Sequence, residues 1–367
     1  MARVTVAAGS IGGMDSLTQI VLGGAVAAAI APARHRRAAL LAGAVLGTLP
    51  DLDSLPIALL TDDPVAKMTL HRGASHSLFV LPLIGWLAWA FLRRLGGRVA
   101  EAPRRWFWAI QLVLLTHPLL DAFTVYGTQL LWPLPVPPVM WSSMFIIDPL
   151  YTAWLLLACV AAFFLRERKG AQRALAAGLV LSTAYLGWSL AAKAVVEREA
   201  GRALAAIGLA DAPRFSVPTP FNTLLWRVVA MTPTGYVEGF RSLPADSGPM
   251  RFEEHRSDAR ALEDAAGIPA VDRLLWFNRG FMRAGQVERE LVLSDLRMGN
   301  EPDYFFNFAV ARLDGGWPAI PPRQLRVERD FGGAWAATWR RIWEQPAATG
   351  QAAAQSGGAT PADSASK

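Results

Sequence analysis

Long apolar stretches separated by short polar segments dominate the first half of the chain. They cover about residues 16–33, 38–50, 77–92, 106–120, 146–165 and 174–192. A helix that crosses the hydrocarbon core of a bilayer needs about 20 apolar residues. The fifth and sixth stretches meet this length, the first is marginal and the second is short. We interpret all six as membrane helices, with the second tilted, tucked in or extended by its flanks. The alternative is a soluble helical bundle with buried helices.

The pattern changes at about Pro213, where short runs rich in β-branched and aromatic residues begin. The runs, which turn sequences separate, are Thr223–Met231, Tyr236–Leu243, Val287–Arg297 and Tyr304–Leu313. Such runs are typical of strands. We therefore predict a mainly α, polytopic membrane bundle over residues 14–195 and a small, mainly β extramembrane domain over residues 213–345. Residues 346–367 are predicted to be a disordered tail. Residues 1–13 are predicted to be a disordered extension ahead of Met14, which resembles a natural start.

One further periodicity lies near the end of the β domain. Trp335, Trp339 and Trp343 recur every four residues, which places them on one side of a helix. The row is compatible with a membrane-interface anchor and equally with packing against the β domain.

Composition agrees with a membrane protein. Hydrophobic residues make up 53% of the 367 residues and charged residues 18%, and the mean hydropathy is +0.26. These values argue against a disordered chain and against an ordinary soluble enzyme. The single cysteine, Cys159, excludes a disulfide scaffold and a zinc site built from thiolates.

Charge alternates between the loops and predicts their sides. The loops after the first, third and fifth stretches carry 12 basic and two acidic residues, whereas the opposite loops are mostly acidic. By the positive-inside rule, the basic loops are cytoplasmic. This predicts a multi-pass inner-membrane protein whose acidic helix ends and β domain lie on the non-cytoplasmic side. Basic patches also bind nucleic acid or acidic lipid, but arginines between apolar stretches are typical topology signals, so we predict no nucleic-acid partner. The oligomeric state stays open.

Aspartates and histidines gather at the helix ends on the predicted outer side. They are Asp15, Asp51, Asp53, His71, His76, His117, Asp121 and Asp148. Ionisable groups near the hydrocarbon are costly and usually mark function. Imidazole and carboxylate together suit zinc, manganese or iron. We therefore predict a site for one or two divalent ions, zinc first. Taken singly, such histidines are more often interface residues, and such aspartates are often helix caps or turn formers.

The spacing of these residues predicts their roles. The expected ligands are His71, His76, His117 and Asp121. His117 and Asp121 are four residues apart on one helix face, although Pro118 between them disfavours a continuous helix. Asp51 and Asp53 would bridge a second ion, or one of them would act as a general base. Three further residues are expected around the ligands: Asp15, Arg72 and Asp148. Arg72 would pair with an aspartate or hold a substrate phosphate.

Four motifs carry a resemblance to a known family. They are Met14-Asp-Ser-Leu-Thr-Gln19, Pro50-Asp-Leu-Asp53, His71-Arg-Gly-Ala-Ser-His-Ser77 and Thr116-His-Pro-Leu-Leu-Asp121. These motifs resemble the membrane-bound metal-dependent hydrolases, also described as LexA-binding, inner membrane-associated hydrolases, over about residues 14–195. The resemblance implies hydrolase activity but no particular substrate. The metal positions that it implies are Asp51, Asp53, His71, His76, His117 and Asp121.

Three functions follow as hypotheses. The first is a metal-dependent hydrolase, in which metal-activated water attacks an ester or phosphoester, with a membrane lipid or lipid-linked small molecule as substrate. The second is a metal transporter or metal-sensing membrane protein without hydrolytic activity. Transport sites usually lie near the bilayer midplane, whereas these polar residues lie at helix ends. The third is a scaffold whose polar helix ends are only caps.

Overall fold

The computed structural model describes residues 4–6, 16–327 and 331–346. Helices form most of the first half. The α-helices are α1 (Ser16–Ile30), α2 (Arg36–Thr48), α3 (Ser54–Leu60), α4 (Pro64–Leu70), α5 (Val80–Arg94), α6 (Gly97–Glu101), α7 (Pro103–Asp121), α8 (Pro149–Leu165), α9 (Lys169–Ala206), α10 (Ala259–Asp264), α11 (Pro269–Asn278) and α12 (Phe331–Trp343). The mainly helical first half agrees with the prediction.

Each of the six apolar stretches forms a helix, but six membrane crossings are not confirmed. By length and composition, only the helical segments Ala33–Leu60 and Lys169–Ala206 of the described chain are sufficient to cross a membrane. A third crossing results if Pro64–His76 and Val80–Arg94, which are bent by 57°, count as one. The other helices fall short mainly because of their length. The 15 residues of α1, for example, rise only about 22 Å, less than the roughly 30 Å of a hydrocarbon core.

Glycines allow α1 and α2 to pack in close contact. A Cβ atom at Gly43 would lie 2.2 Å from the carbonyl oxygen of Gly23, and one at Gly47 would lie 2.4 Å from that of Gln19. Small residues at a helix crossing let the backbones approach, which is a common way to pack helices in membranes. The contact brings the end of α2 beside Gln19 of α1.

The second half contains two antiparallel sheets, which agrees with the predicted β domain. The strands are β1 (Val4–Val6), β2 (Arg214–Pro218), β3 (Leu225–Thr232), β4 (Gly235–Ser242), β5 (Glu253–Arg256), β6 (Met282–Val287), β7 (Glu290–Asp295), β8 (Gly299–Asn300), β9 (Asp303–Tyr304), β10 (Asn307–Arg312) and β11 (Ala319–Val327). A four-stranded sheet has the order β2-β3-β4-β5 and a five-stranded sheet the order β1-β11-β10-β7-β6, while β8 and β9 pair separately.

The chain termini lie mostly outside the described residues. Residues 4–6 of the predicted disordered extension form β1, which pairs antiparallel with β11 at the edge of the five-stranded sheet. The rest of residues 1–13 and the predicted tail from residue 347 onward lie outside the described part of the chain.

Helix α9 connects the two halves. Its 38 residues extend about 57 Å, nearly twice the thickness of a hydrocarbon core. Leu175 packs in the helical core, whereas Val196 and Ala200 pack against Trp226 of β3. The second half of α9 therefore supports the four-stranded sheet.

The β domain also contacts the polar ends of the membrane helices. Val65 and Met68 of α4 pack in one core with Tyr126, Phe277 and Phe306. The hydroxyl of Tyr126 donates a hydrogen bond to the carbonyl oxygen of Met68 over 2.8 Å. This contact places the β domain next to the segment that follows α4, where His71 and His76 lie.

Candidate metal centre

Four side chains meet at the ends of helices in the first half of the chain. Their facing atoms are Asp51 Oδ1, His76 Nε2, His117 Nε2 and Asp121 Oδ2, which all lie within 4.8 Å of one another. We call these four residues the ligand cluster. The two Nε2 atoms are 3.1 Å apart. His76 Nε2 lies 3.3 Å from Asp51 Oδ1 and 3.2 Å from Asp121 Oδ2.

These distances fit a tetrahedral ion. His117 Nε2 lies 3.4 Å from Asp51 Oδ1 and 3.6 Å from Asp121 Oδ2. Ligand atoms about 2.0–2.1 Å from a tetrahedral zinc lie about 3.3 Å from one another. Five of the six separations therefore match the edges of a zinc-sized tetrahedron, and the two carboxylate oxygens lie within 4.8 Å of each other. One ion has enough ligands without a second.

Helix α7 supplies two members of the ligand cluster. His117 and Asp121 lie on one continuous helix in spite of Pro118 between them. Residues four apart share a helix face, so both side chains point to the same place. Proline is tolerated inside membrane-embedded helices when neighbouring groups satisfy the backbone, and this settles the geometry that the sequence had left open.

A tight turn after α2 separates Asp51 from Asp53. Residues Pro50–Asp53 form a 3₁₀ helix, in which residues two apart point in different directions. Asp51 therefore enters the ligand cluster, while Asp53 turns to a second set of partners. Asp53 Oδ1 lies 2.7 Å from Nδ1 of His71, and Asp53 Oδ2 accepts a hydrogen bond from the hydroxyl of Ser75 over 2.5 Å.

The two histidines of the loop after α4 occupy different places. His76 belongs to the ligand cluster, whereas His71 pairs with Asp53. Between them Arg72 has a φ of 59°, a left-handed conformation that is uncommon outside glycine and reverses the chain. Of the six predicted metal positions, four thus come together, and Asp53 and His71 form an adjacent pair.

Hydrogen bonds hold both histidines of the ligand cluster in one tautomer. His117 Nδ1 lies 2.6 Å from the carbonyl oxygen of Gly47 and must donate its proton there. His76 Nδ1 lies 2.9 Å from the Ser75 hydroxyl, whose own proton goes to Asp53. Both Nε2 atoms therefore direct a lone pair into the ligand cluster, as metal-binding histidines do.

The two carboxylates are also prepared for a cation. Gln19 Nε2 donates to Asp121 Oδ1 over 2.9 Å, which leaves Asp121 Oδ2 facing the histidines. Asp121 Oδ2 and Asp51 Oδ1 are both buried, and among the described residues neither accepts a hydrogen bond of good geometry, although Arg72 Nε lies 3.2 Å from Asp121 Oδ2. Four electron-pair donors thus face one another without protons between them. Such an arrangement is unfavourable unless a cation, either a metal ion or a proton, occupies the centre.

The remaining predicted residues have different positions. Arg72 is buried, and its Nε lies 3.2 Å from Asp121 Oδ2, as expected for a residue around the ligands. Asp148 instead caps α8, where it accepts hydrogen bonds from the backbone of Leu150 and Tyr151 and from the Tyr185 hydroxyl. Asp15 lies outside the described residues.

Sequence reasoning missed three supporting residues. Gln19 and Ser75 lie inside the motifs that carry the family resemblance, so their positions could have indicated a role at the site. The sequence gives no indication of a role for Gly47, because Gly47 acts through its backbone carbonyl. Only the folded helix shows which carbonyl contacts His117.

The helical half is similar to a known protein family. Residues 14–196 match the family model described as YdjM inner membrane protein. This part of the chain is therefore similar to an inner membrane protein family, which agrees with the predicted membrane location. No curated protein and no solved structure matches the chain.

Proposed function

We propose that this protein is a metal-dependent hydrolase whose site opens at the membrane surface. The observation that carries the proposal is the ligand cluster: two imidazoles and two carboxylates at tetrahedral spacing, with both histidines held as acceptors. Neutral imidazole with carboxylate suits zinc first, and manganese or iron as alternatives. When bound, such an ion lowers the pKa of its water to about 7 and polarises a carbonyl or phosphoryl oxygen.

The protein's own groups would orient the reactants. His76 and His117 are almost completely buried, whereas Asp51 keeps 19% of its side chain exposed. Substrate and water therefore approach from the side of Asp51, whose carboxylate would hold a proton of the incoming water. The pair of Asp53 and Ser75 keeps His76 oriented.

The surroundings of Asp51 favour a lipid or a lipid-linked ester or phosphoester. Helix α3 follows directly and exposes Leu55, Leu59 and Leu60, of which Leu59 is 89% exposed. An exposed apolar helix at the end of a membrane-embedded bundle is compatible with lipid contact. A substrate could keep its acyl chain in the bilayer beside α3 while its polar group reaches Asp51.

Metal content and hydrolysis test the proposal together. We expect purified wild type to contain about one zinc, manganese or iron per chain by elemental analysis, because the ligand cluster offers four ligand atoms to one ion. The variant His76→Ala should lose this metal, whereas His255→Ala in the β domain should keep it. A panel of lipid, phosphoester and ester substrates should show hydrolysis that a chelator removes and added metal restores.

Two results would contradict the proposal. Stoichiometric metal without hydrolysis across the panel would exclude the enzyme. Metal uptake into proteoliposomes that depends on His117 would instead favour the transporter hypothesis.

A further inference from the structure

Helix α12 exposes a row of tryptophans. The exposed fractions of Trp335, Trp339 and Trp343 are 46%, 53% and 54%. The ring centroids of Trp335 and Trp339 lie 6.1 Å apart, and those of Trp339 and Trp343 lie 6.0 Å apart. The three rings therefore form a continuous aromatic surface, which we call the tryptophan row. A water-facing surface of this kind is costly, and large exposed apolar patches mark interaction sites.

Both ends of α12 are attached to the same end of the four-stranded sheet. Trp335 contacts Phe221, in the loop between β2 and β3, with ring centroids 5.4 Å apart. At the other end, the Ser242 hydroxyl donates to the carbonyl oxygen of Ile342. Because Leu225 pairs with Ser242 in the register of β3 and β4, these two attachments lie at one end of the sheet. Helix α12 therefore runs along that end.

This end of the sheet is the one nearest the membrane. Thr223, in the same loop as Phe221, contacts Tyr185 and Trp188 of α9 over 3.1 Å each. Trp188 is 19 residues beyond the start of α9 at Lys169, a rise of about 29 Å, close to one hydrocarbon thickness. The other end of β3 packs near Leu204. Leu204 lies 16 residues, or about 24 Å, beyond Trp188 along α9.

A chain of ring contacts continues to the membrane helices. Phe221 contacts Phe145 with centroids 5.7 Å apart, and Phe145 lies three residues before Asp148, the N-cap of the apolar helix α8. The tryptophan row is thus continuous with the surface at which α8 and α9 leave the bilayer.

We propose that α12 is an interfacial anchor that places the tryptophan row among the headgroups of the bilayer. Tryptophan prefers this region because its ring is apolar and its N–H remains hydrated. Arg340 is exposed on the same helix and adds attraction to anionic lipid. The anchor would hold the β domain against the membrane on the side where the ligand cluster lies. The inference depends on the membrane location and not on the proposed hydrolysis.

Two matched alanines allow a test that leaves the tryptophan row intact. Ala336 and Ala337 are both exposed. Successive residues of a helix turn by about 100°. Ala336 therefore lies next to Trp343 at the side of the tryptophan row, whereas Ala337 lies on the helix face opposite the row. In the full chain carrying Cys159→Ala, the variants A336C and A337C would each receive a nitroxide label in liposomes of phosphatidylethanolamine and phosphatidylglycerol.

The readout is the ratio of label collisions with dissolved oxygen, which concentrates in lipid, to collisions with a water-soluble nickel chelate. We expect this ratio to be several-fold higher at position 336 than at position 337. Equal ratios with full access of the chelate to both labels would overturn the proposal. A label at 336 that is immobilised and shielded from both reagents would also overturn it, because a protein surface would then cover the row.

Discussion

Nδ1 of His117 lies 2.6 Å from the carbonyl oxygen of Gly47. This hydrogen bond joins α7 to α2 and sets the tautomer in which His117 can bind a metal. The hydrogen bond depends on the close packing of α1 and α2, because the backbones of Gln19 and Gly47 meet without side-chain atoms between them. The packing of α1 against α2 therefore controls the chemistry of a ligand on α7.

Enlarging Gly47 should weaken metal binding. In Gly47→Ala, the new Cβ would lie 2.4 Å from the carbonyl oxygen of Gln19, so α1 and α2 must separate and the carbonyl must move away from His117. Overpacking of this kind costs about 1–3 kcal/mol, which we expect as a lower temperature of thermal unfolding together with reduced metal content.

Gly187→Ala is the matched control, because nothing lies within 4 Å of a Cβ atom at that position of α9. Alanine is a better helix former than glycine, so this variant should retain its metal and be no less stable. Unchanged metal content in Gly47→Ala would show that the contact does not position His117.

Removing the Ser75 hydroxyl should lower metal affinity without removing a ligand. Ser75 connects Asp53 to His76 Nδ1, and in Ser75→Ala the imidazole loses the partner that orients it. Loss of such a partner typically costs 10–100-fold in affinity. Titration of the apoprotein with zinc against a competing chelator would measure the change.

Ser54→Ala provides the comparison for Ser75. Its exposed hydroxyl donates only to the backbone carbonyl of Asp51, and surface changes of this kind stay within about 0.5 kcal/mol. Equal affinities for the two variants would count against a role of Ser75.

Gln19 should matter through Asp121. In Gln19→Leu, Asp121 Oδ1 loses its donor at 2.9 Å, so the carboxylate is free to rotate away from the ligand cluster. We expect about a tenfold weaker zinc affinity, again by chelator competition. Gln172→Leu, which removes a glutamine that contacts Arg36 instead, should bind zinc as wild type does. A wild-type affinity in Gln19→Leu would mean that Arg72 alone orients Asp121.

Arg297, which a buried ion pair orients, should hold the β domain on the helical half. Arg297 Nη2 lies 2.6 Å from Asp295 Oδ2, and Arg297 Nη1 donates to the carbonyl oxygen of Tyr126 over 2.8 Å. In Arg297→Met the carboxylate of Asp295 stays buried without its partner, which costs about 3–5 kcal/mol. We expect faster proteolysis of the β domain and a lower unfolding temperature.

The double variant Asp295→Asn/Arg297→Met tests the cause. It removes the unpaired charge and should recover part of the lost stability. Neither variant touches the ligand cluster, so membrane-bound protein should keep its metal. An Arg297→Met variant as stable as wild type would show that Arg297 does not hold the domain.

The location of the helices could be predicted because it depends on local sequence. A run of apolar residues favours a helix in a membrane whatever surrounds it, and all six stretches are helical. The number of crossings could not be predicted in the same way. It depends on how far each helix continues past its apolar stretch and where it breaks, as between Thr48 and Ser54, and flanking contacts decide both.

The candidate site was predicted in outline and differs in detail. Asp51, His76, His117 and Asp121 could be named because charged groups near hydrocarbon are costly and therefore rare. Spacing along the sequence could not show that Asp53 and His71 lie outside the ligand cluster. A 3₁₀ turn directs Asp53 away from Asp51, and a left-handed Arg72 separates His71 from His76.

The amino-acid sequence by itself determined which residue types are available and that they lie at helix ends, because hydrophobicity and charge act at each position independently. Only the tertiary structure decided which four side chains face one another and which backbone carbonyl orients His117. Side-chain direction depends on helix phase, turn type and close backbone packing, and these emerge only when distant parts of the chain are in contact.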